Sequence, residues 1–265
     1  MLTLISPAKS LDVTPHDAGV AVSEPRFLDA TAKLLKSAQK LKPKAIAELM
    51  DISPALSQLN YERYQGFDAQ AALPGVFMFD GDVYDGLQAR TLDADALGWA
   101  QDHLRILSGL YGVLRPMDEI RPYRLEMGSH LKTGRAGSLY QFWGDTLAQS
   151  LTEELKAQGS DTIVNLASQE YARAALTKAL KAPVVSPRFL EIKGNSAKIV
   201  SFFAKKARGL MARYMIDQRI DQPDGLKGFD VAGYTFRSDL SSEGDWVFTR
   251  PQPELVTKAK KKEEA

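Results

Sequence analysis

Cysteine is absent from this 265-residue chain. That excludes disulfides, thiolate metal sites and a cysteine nucleophile, and it fits a reducing, cytoplasmic setting. Histidine is scarce. His16, His103 and His130 are the only three, too few and too scattered for a histidine-rich metal centre. Iron bound directly would have to rest on carboxylates, and neither a metal nor a cofactor is expected. No apolar run approaches the ~20 residues that a membrane span needs. The opening Met1-Leu-Thr-Leu-Ile is too short for a signal-peptide core and lacks a basic start. An excess of either charge is missing too: 34 Lys and Arg stand against 33 Asp and Glu, a formal net charge of +1. A polyanion would have to be held by local clustering of base, not by the chain as a whole.

What remains is the composition of a globular protein with a sizeable core. Hydrophobic residues make up 44% and charged residues 25%. Residues 2–5 read as a strand ended by Ser6-Pro7. Apolar residues at helical spacing fill 25–41. Residues 43–64 read as helix, tight turn, helix, with Pro43 and Pro54 in first turns and Ser53 as N-cap. A short strand is expected at 76–79, an Asp93-capped helix to about His103, and a buried strand at 104–108. Residues 109–137 form a long irregular connection, the kind that is often functional. Then come a long helix at 139–158, a strand at 162–166 and a helix at 168–179 capped by Ser168. A hairpin turns at Lys193-Gly-Asn-Ser, and a last one surrounds Ser241-Ser-Glu-Gly. The expected fold is a single compact α/β unit over residues 1–250. It has a mixed central sheet, flanking helices and a helical insertion at about 25–70. Residues 251–265 read as a charged, solvated, disordered tail.

Four cations crowd one short helical segment at 202–213: Lys205, Lys206, Arg208 and Arg213. They fall within about two and a half helical turns. No carboxylate interrupts them before Asp217. Lys205, Arg208 and Lys206 share a broad face, while Phe202, Leu210 and Met211 are free to pack elsewhere. The segment fits either a phosphate-binding element or the solvated face of an amphipathic helix. Leu107 to Asp118 leaves a buried strand through Gly109 and Gly112, which permit positive φ or close backbone approach. Arg115, Arg121 and Arg124 follow. Each could grip phosphate in a bidentate way or pair with Asp118, Glu119 and Glu126.

Other segments carry weaker signals. Asp80, Asp82 and Asp85 depart from a calcium-loop pattern and read as a polar turn. Ser6-Pro-Ala-Lys9 has the spacing of some Ser-Lys nucleophile pairs, but its Pro argues against one helical face. Lys9 reads instead as a phosphate ligand at a strand end. Asn165 to Tyr171 runs from a strand end into a helix start, where N–H groups are free. Tyr140, Phe142 and Trp143 read as core. Residues 43–64 have the hydrophobic frame of a helix-hairpin-helix, which holds nucleic-acid backbone through N–H groups. Asp51-Ile-Ser replaces its usual Gly-hydrophobic-Gly, so the stretch alone reads as a plain helix pair.

Several of these segments together resemble the YaaA family of peroxide-stress proteins, nearly end to end. The matching stretches are Leu4-Ile-Ser-Pro-Ala-Lys9, Gly81-Asp-Val-Tyr-Asp-Gly-Leu87, Leu107 to Asp118 and Pro122-Tyr-Arg-Leu-Glu-Met127. Leu139-Tyr-Gln-Phe-Trp-Gly-Asp145, Asn165-Leu-Ala-Ser168 with Glu170-Tyr171, and Ser201 to Met211 complete them. The tail beyond Pro251 lies outside the likeness. The resemblance implies a cytosolic protein that helps cells withstand hydrogen peroxide and limits iron-dependent oxidative DNA damage. It also implies DNA binding by an unusual α/β fold with a positively charged cleft and a helix-hairpin-helix-like element, for which 43–64 is the candidate.

The expected partner is therefore DNA, duplex or branched, bound with little regard to sequence. The expected binding residues are Lys9, Arg115, Arg121, Arg124, Lys205, Lys206, Arg208 and Arg213. All but Arg213 are expected to line one concave surface. The alternative is an enzyme acting on a nucleotide or nucleic acid, with Arg115, Arg121 or Arg124 on phosphate and Asp82 or Glu126 as acid or base.

Overall fold

The strand Leu2–Ile5 is buried at every position, as a strand covered on both faces must be. It pairs in parallel with Leu104–Ser108 on one side and with Ile163–Asn165 on the other. Ile163–Asn165 pairs in parallel with Val184–Lys193, which pairs in parallel with Asp245–Pro251. Antiparallel partners close both edges: Gly112–Leu114 beside Leu104–Ser108, and Thr235–Phe236 beside Asp245–Pro251. Ser196–Lys198 folds back on Val184–Lys193 in the hairpin read from the sequence. The result is a mixed central sheet with flanking helices, one compact unit. The computed structural model describes residues 1–253. The charged tail expected over 251–265 therefore lies outside the described residues, apart from Pro251, which ends a strand, Gln252 and Pro253.

The insertion is three helices, Leu28–Ala38, Pro43–Met50 and Pro54–Gln65. The Ser53 hydroxyl accepts the Leu56 N–H, and both prolines open their helices. Between the second and third helices, Asp51 takes φ 49°, the left-handed conformation that glycine usually supplies at a helix end. The Tyr64 hydroxyl donates to the Arg124 carbonyl, and Thr31 donates to the Leu110 carbonyl at 3.1 Å. These bonds tie the insertion to the long connection after Leu104–Ser108.

Three local readings need correction. Residues 75–78 form a helical turn, and only Phe79–Asp80 is strand. The N–H groups of Gly75 and Val76 are taken by the carbonyls of Asp118 and Pro116, and a short apolar run cannot by itself separate helix from strand. The helix expected over 139–158 breaks at Gly144, at φ 47°, into Leu139–Trp143 and Thr146–Ala157. The helix expected over 168–179 is Gln169–Ala175, and the Ser168 side chain does not cap it.

Asp93 does cap its helix, accepting the Ala96 N–H at 2.8 Å. Asp93→Ala is expected to cost about 1 kcal/mol, measured as a lower urea midpoint with an unchanged denaturant slope.

The Ser201–Asp217 helix packs directly on the short helix Asp82–Leu87. Both surfaces are glycine where they meet. A Cβ on Gly209 would stand 1.8 Å from the Val83 carbonyl oxygen, and one on Gly86 would stand 2.3 Å from that of Lys206. The basic helix is thus pressed against the Asp82 segment with backbone touching backbone.

Candidate functional site

The parallel strands end on one side of the sheet, where open α/β folds place their ligands. A cavity of about 470 Å³ lies there. Its floor is Ser6, just past Leu2–Ile5, and Ser168 and Tyr171, past Ile163–Asn165. The Ser168 N–H donates to Ser6 Oγ at 2.8 Å, and the Tyr84 hydroxyl donates to the Ser6 carbonyl at 3.1 Å. One wall is the Tyr123–Glu126 segment. Gly109 lets it approach: a Cβ there would lie 2.2 Å from the Leu125 carbonyl oxygen. The opposite wall is the basic helix, held in place by Gly86 and Gly209.

Four cations line this cavity: Lys9, Arg124, Lys205 and Arg208. Three are engaged. Lys9 Nζ is 3.0 Å from Glu126, Arg124 is 2.9 Å from the same carboxylate, and Lys205 is 3.8 Å from Asp82. Arg208 differs. It is half-buried, and burial pulls its pKa below the usual arginine range, with no carboxylate among the described residues acting to restore it. Arginine stays charged even so. The phenols of Tyr84, Tyr123 and Tyr171 are pushed well above their ordinary range, chiefly by burial. They remain neutral, and two are already engaged, Tyr84 with the Ser6 carbonyl and Tyr123 with the Ser108 hydroxyl.

The remaining basic residues singled out from the sequence lie elsewhere. Arg115 pairs with Asp118 at 3.2 Å and lines a separate cavity of about 220 Å³ beside the Arg105–Glu154 ion pair. Arg121 lays its guanidinium 5.8 Å from the centre of the Phe67 ring. Lys206 is exposed on the basic helix. Arg213 is pinned by Asp217 at 2.8 Å and by Thr91 Oγ1 at 2.6 Å, and fastens the helix to the 87–91 turn. The structure thus brings Lys9, Arg124, Lys205 and Arg208 together, and sets Arg115, Arg121, Lys206 and Arg213 apart from them. Sequence reasoning missed the three tyrosines, because a neutral phenol leaves no mark in a charge pattern.

Among the described residues no group of three or more His, Asp or Glu is placed to hold a metal ion, and no helix is long and apolar enough to cross a membrane.

A family profile described as peroxide stress protein YaaA matches residues 1–240. The chain belongs to the YaaA family. It is 54% identical over 255 residues to a UPF0246 protein of Caulobacter vibrioides, covering 96% of this chain and all of that one. A UPF0246 protein of Phenylobacterium zucineum is 50% identical over 266 residues, the whole of both chains. One from Hahella chejuensis is 47% identical over 254 residues, 94% of this chain and 99% of the relative. Membership of the YaaA family supports a role in peroxide stress.

Proposed function

We propose that this YaaA-family chain acts in peroxide stress by binding DNA through its phosphates, limiting iron-dependent damage to the nucleic acid. The observation that carries the reading is Arg208. A half-buried guanidinium that has no carboxylate partner among the described residues is costly to keep unless an anion completes it, and Lys9, Arg124 and Lys205 stand on the walls of the same cavity. A phosphate can draw all four, by displacing Glu126 and Asp82 from exposed or partly exposed pairs that are individually weak. The helix pair at 43–64 adds a second candidate binding element. Its hairpin takes the left-handed turn at Asp51 without glycine, and Tyr64 anchors the same helix pair to the cavity residue Arg124. DNA bound through its backbone is held with little regard to sequence.

A second reading rests on the cavity's size and lining. About 470 Å³ at the carboxyl ends of parallel strands suits a nucleotide. Asp82 and Glu126 line it and could act as acid and base. In that case the protein is an enzyme on a nucleotide or nucleic acid.

Competition separates the two. A labelled duplex bound to the protein is challenged with duplexes of unrelated sequence and with free nucleotides. DNA binding predicts that all duplexes compete alike and that nucleotides compete poorly. Tight nucleotide binding with no measurable affinity for duplex would reject it in favour of the enzyme.

A further inference from the structure

From Ile192 to Ile216 the chain has no carboxylate and six cations. This stretch runs through the Lys193–Ser196 turn, along Ser196–Lys198 and into the basic helix. Lys193, Lys198, Lys205 and Lys206 are all exposed. Among them stand two large apolar side chains that the core does not use. Ile199 is 54% exposed and Phe202 50%. The neighbouring Phe203 is buried and lies under the Arg250 guanidinium at 4.9 Å; the Phe202 ring meets it only at a tilt, with centroids 5.6 Å apart, and stays half exposed. Phe202 lies one turn before Lys205 and Lys206, on their side of the helix, and Lys205 lines the Arg208 cavity.

We propose that Phe202, with Ile199 beside it, is a stacking platform for an unpaired nucleic-acid base whose flanking phosphates meet the surrounding lysines. The proposal rests on the phosphate-binding reading above and adds a preference for unpaired segments. An aromatic face among lysines offers the two things that single strands take from proteins, a stacking surface and a charged track for the backbone. An intact duplex keeps its bases stacked on each other and has none to offer. An anionic membrane would also suit lysines around an apolar tip. A flat lipid surface, however, cannot reach the half-buried Arg208 one helical turn beyond Lys205.

The test uses a duplex with a short internal gap that holds 2-aminopurine, and the matching full duplex. The native protein should bind the gapped DNA roughly tenfold more tightly and quench the 2-aminopurine as it stacks. Phe202→Ala and Phe202→Leu should both lose the preference and the quenching, with duplex affinity and its salt dependence unchanged. Phe202→Trp should keep both. Half-exposed Phe202 can be changed without emptying the core, so the variants report on binding. A preference that survives Phe202→Ala, or a Phe202→Leu protein that still quenches, overturns the platform and leaves phosphate binding standing. So does a native protein that binds both DNAs equally. Loss of binding to phosphatidylserine vesicles in Phe202→Ala, with DNA binding intact, would assign the patch to membranes instead. No binding of the native protein to either DNA at low salt would remove the phosphate reading and the platform together.

Discussion

Arg208→Ala is expected to weaken DNA binding about ten- to a hundredfold, by the same factor for every sequence. A hydrogen bond to a charged group is worth roughly 1.5–3 kcal/mol, and among the described residues Arg208 has no ion-pair partner to divide that energy with. Arg213 makes the contrast. Its guanidinium is already used by Asp217, Thr91 and the carbonyl of Gln88, so Arg213→Ala should lower stability and leave affinity nearly unchanged. Lys206 is an exposed point charge, and its loss should cost only a few-fold. Changing Lys205, Lys206 and Arg208 together should reduce the slope of log affinity against log salt by about 2–3 units, near one for each phosphate that is no longer neutralised. Fluorescence anisotropy on variants with unchanged circular dichroism checks each of these. Because burial disfavours the Arg208 charge, Arg208→Ala should unfold no earlier than the native protein.

Gly209→Ala is expected to destabilise the fold by about 3 kcal/mol. The added methyl would sit 1.8 Å from the Val83 carbonyl oxygen and 2.9 Å from the Leu87 nitrogen. Both are backbone atoms of the Asp82–Leu87 helix, so no side chain can turn aside to make room. Overpacking relieved only by moving a helix falls at the upper end of such costs. Urea denaturation measures it. Gly98→Ala is the control, also within a helix, with no atom of the described residues within 4 Å of the new Cβ. It should raise stability by about 0.5–1 kcal/mol, because alanine restricts the unfolded chain and glycine does not. Where Gly209→Ala still folds, the displaced helix carries Arg208 with it. DNA affinity should then fall although no cation has been removed.

These glycines show where the sequence could and could not be read. Leu2–Ile5, Leu104–Ser108 and Ile163–Asn165 were legible because a strand covered on both faces is rich in apolar residues, even with Thr3, Arg105, Ser108 and Asn165 among them. The helix starts at Pro43, Pro54 and Asp93 were legible because their caps are local. Gly144 was not read as a break, since a glycine inside a helical pattern is often tolerated. Gly86 and Gly209 were not read at all. Their role depends on two helices meeting that are more than a hundred residues apart.

The candidate site divides along the same line. Clustering on one helix put Lys205, Lys206, Arg208 and Arg213 in the foreground, but side-chain direction decides which of them faces the cavity. Arg115 and Arg124 carry the same side chain nine positions apart. Asp118 holds one beside a different cavity, and Gly109 lets the other reach the first. Phe202 was expected to pack, and its exposure emerged only from the fold. A local charge pattern can locate an element that binds anions, but it cannot say which of its side chains are left unpaired.

The most direct measurement of the central claim is the affinity of the intact protein for unrelated DNA duplexes across a range of salt concentrations. Phosphate binding at the Arg208 cavity predicts measurable affinity at low salt, the same for every sequence, with log affinity falling linearly as log salt rises. The Lys205, Lys206 and Arg208 triple variant should show a shallower line. No affinity at low salt, or an affinity that salt and the triple variant both leave unchanged, would contradict it.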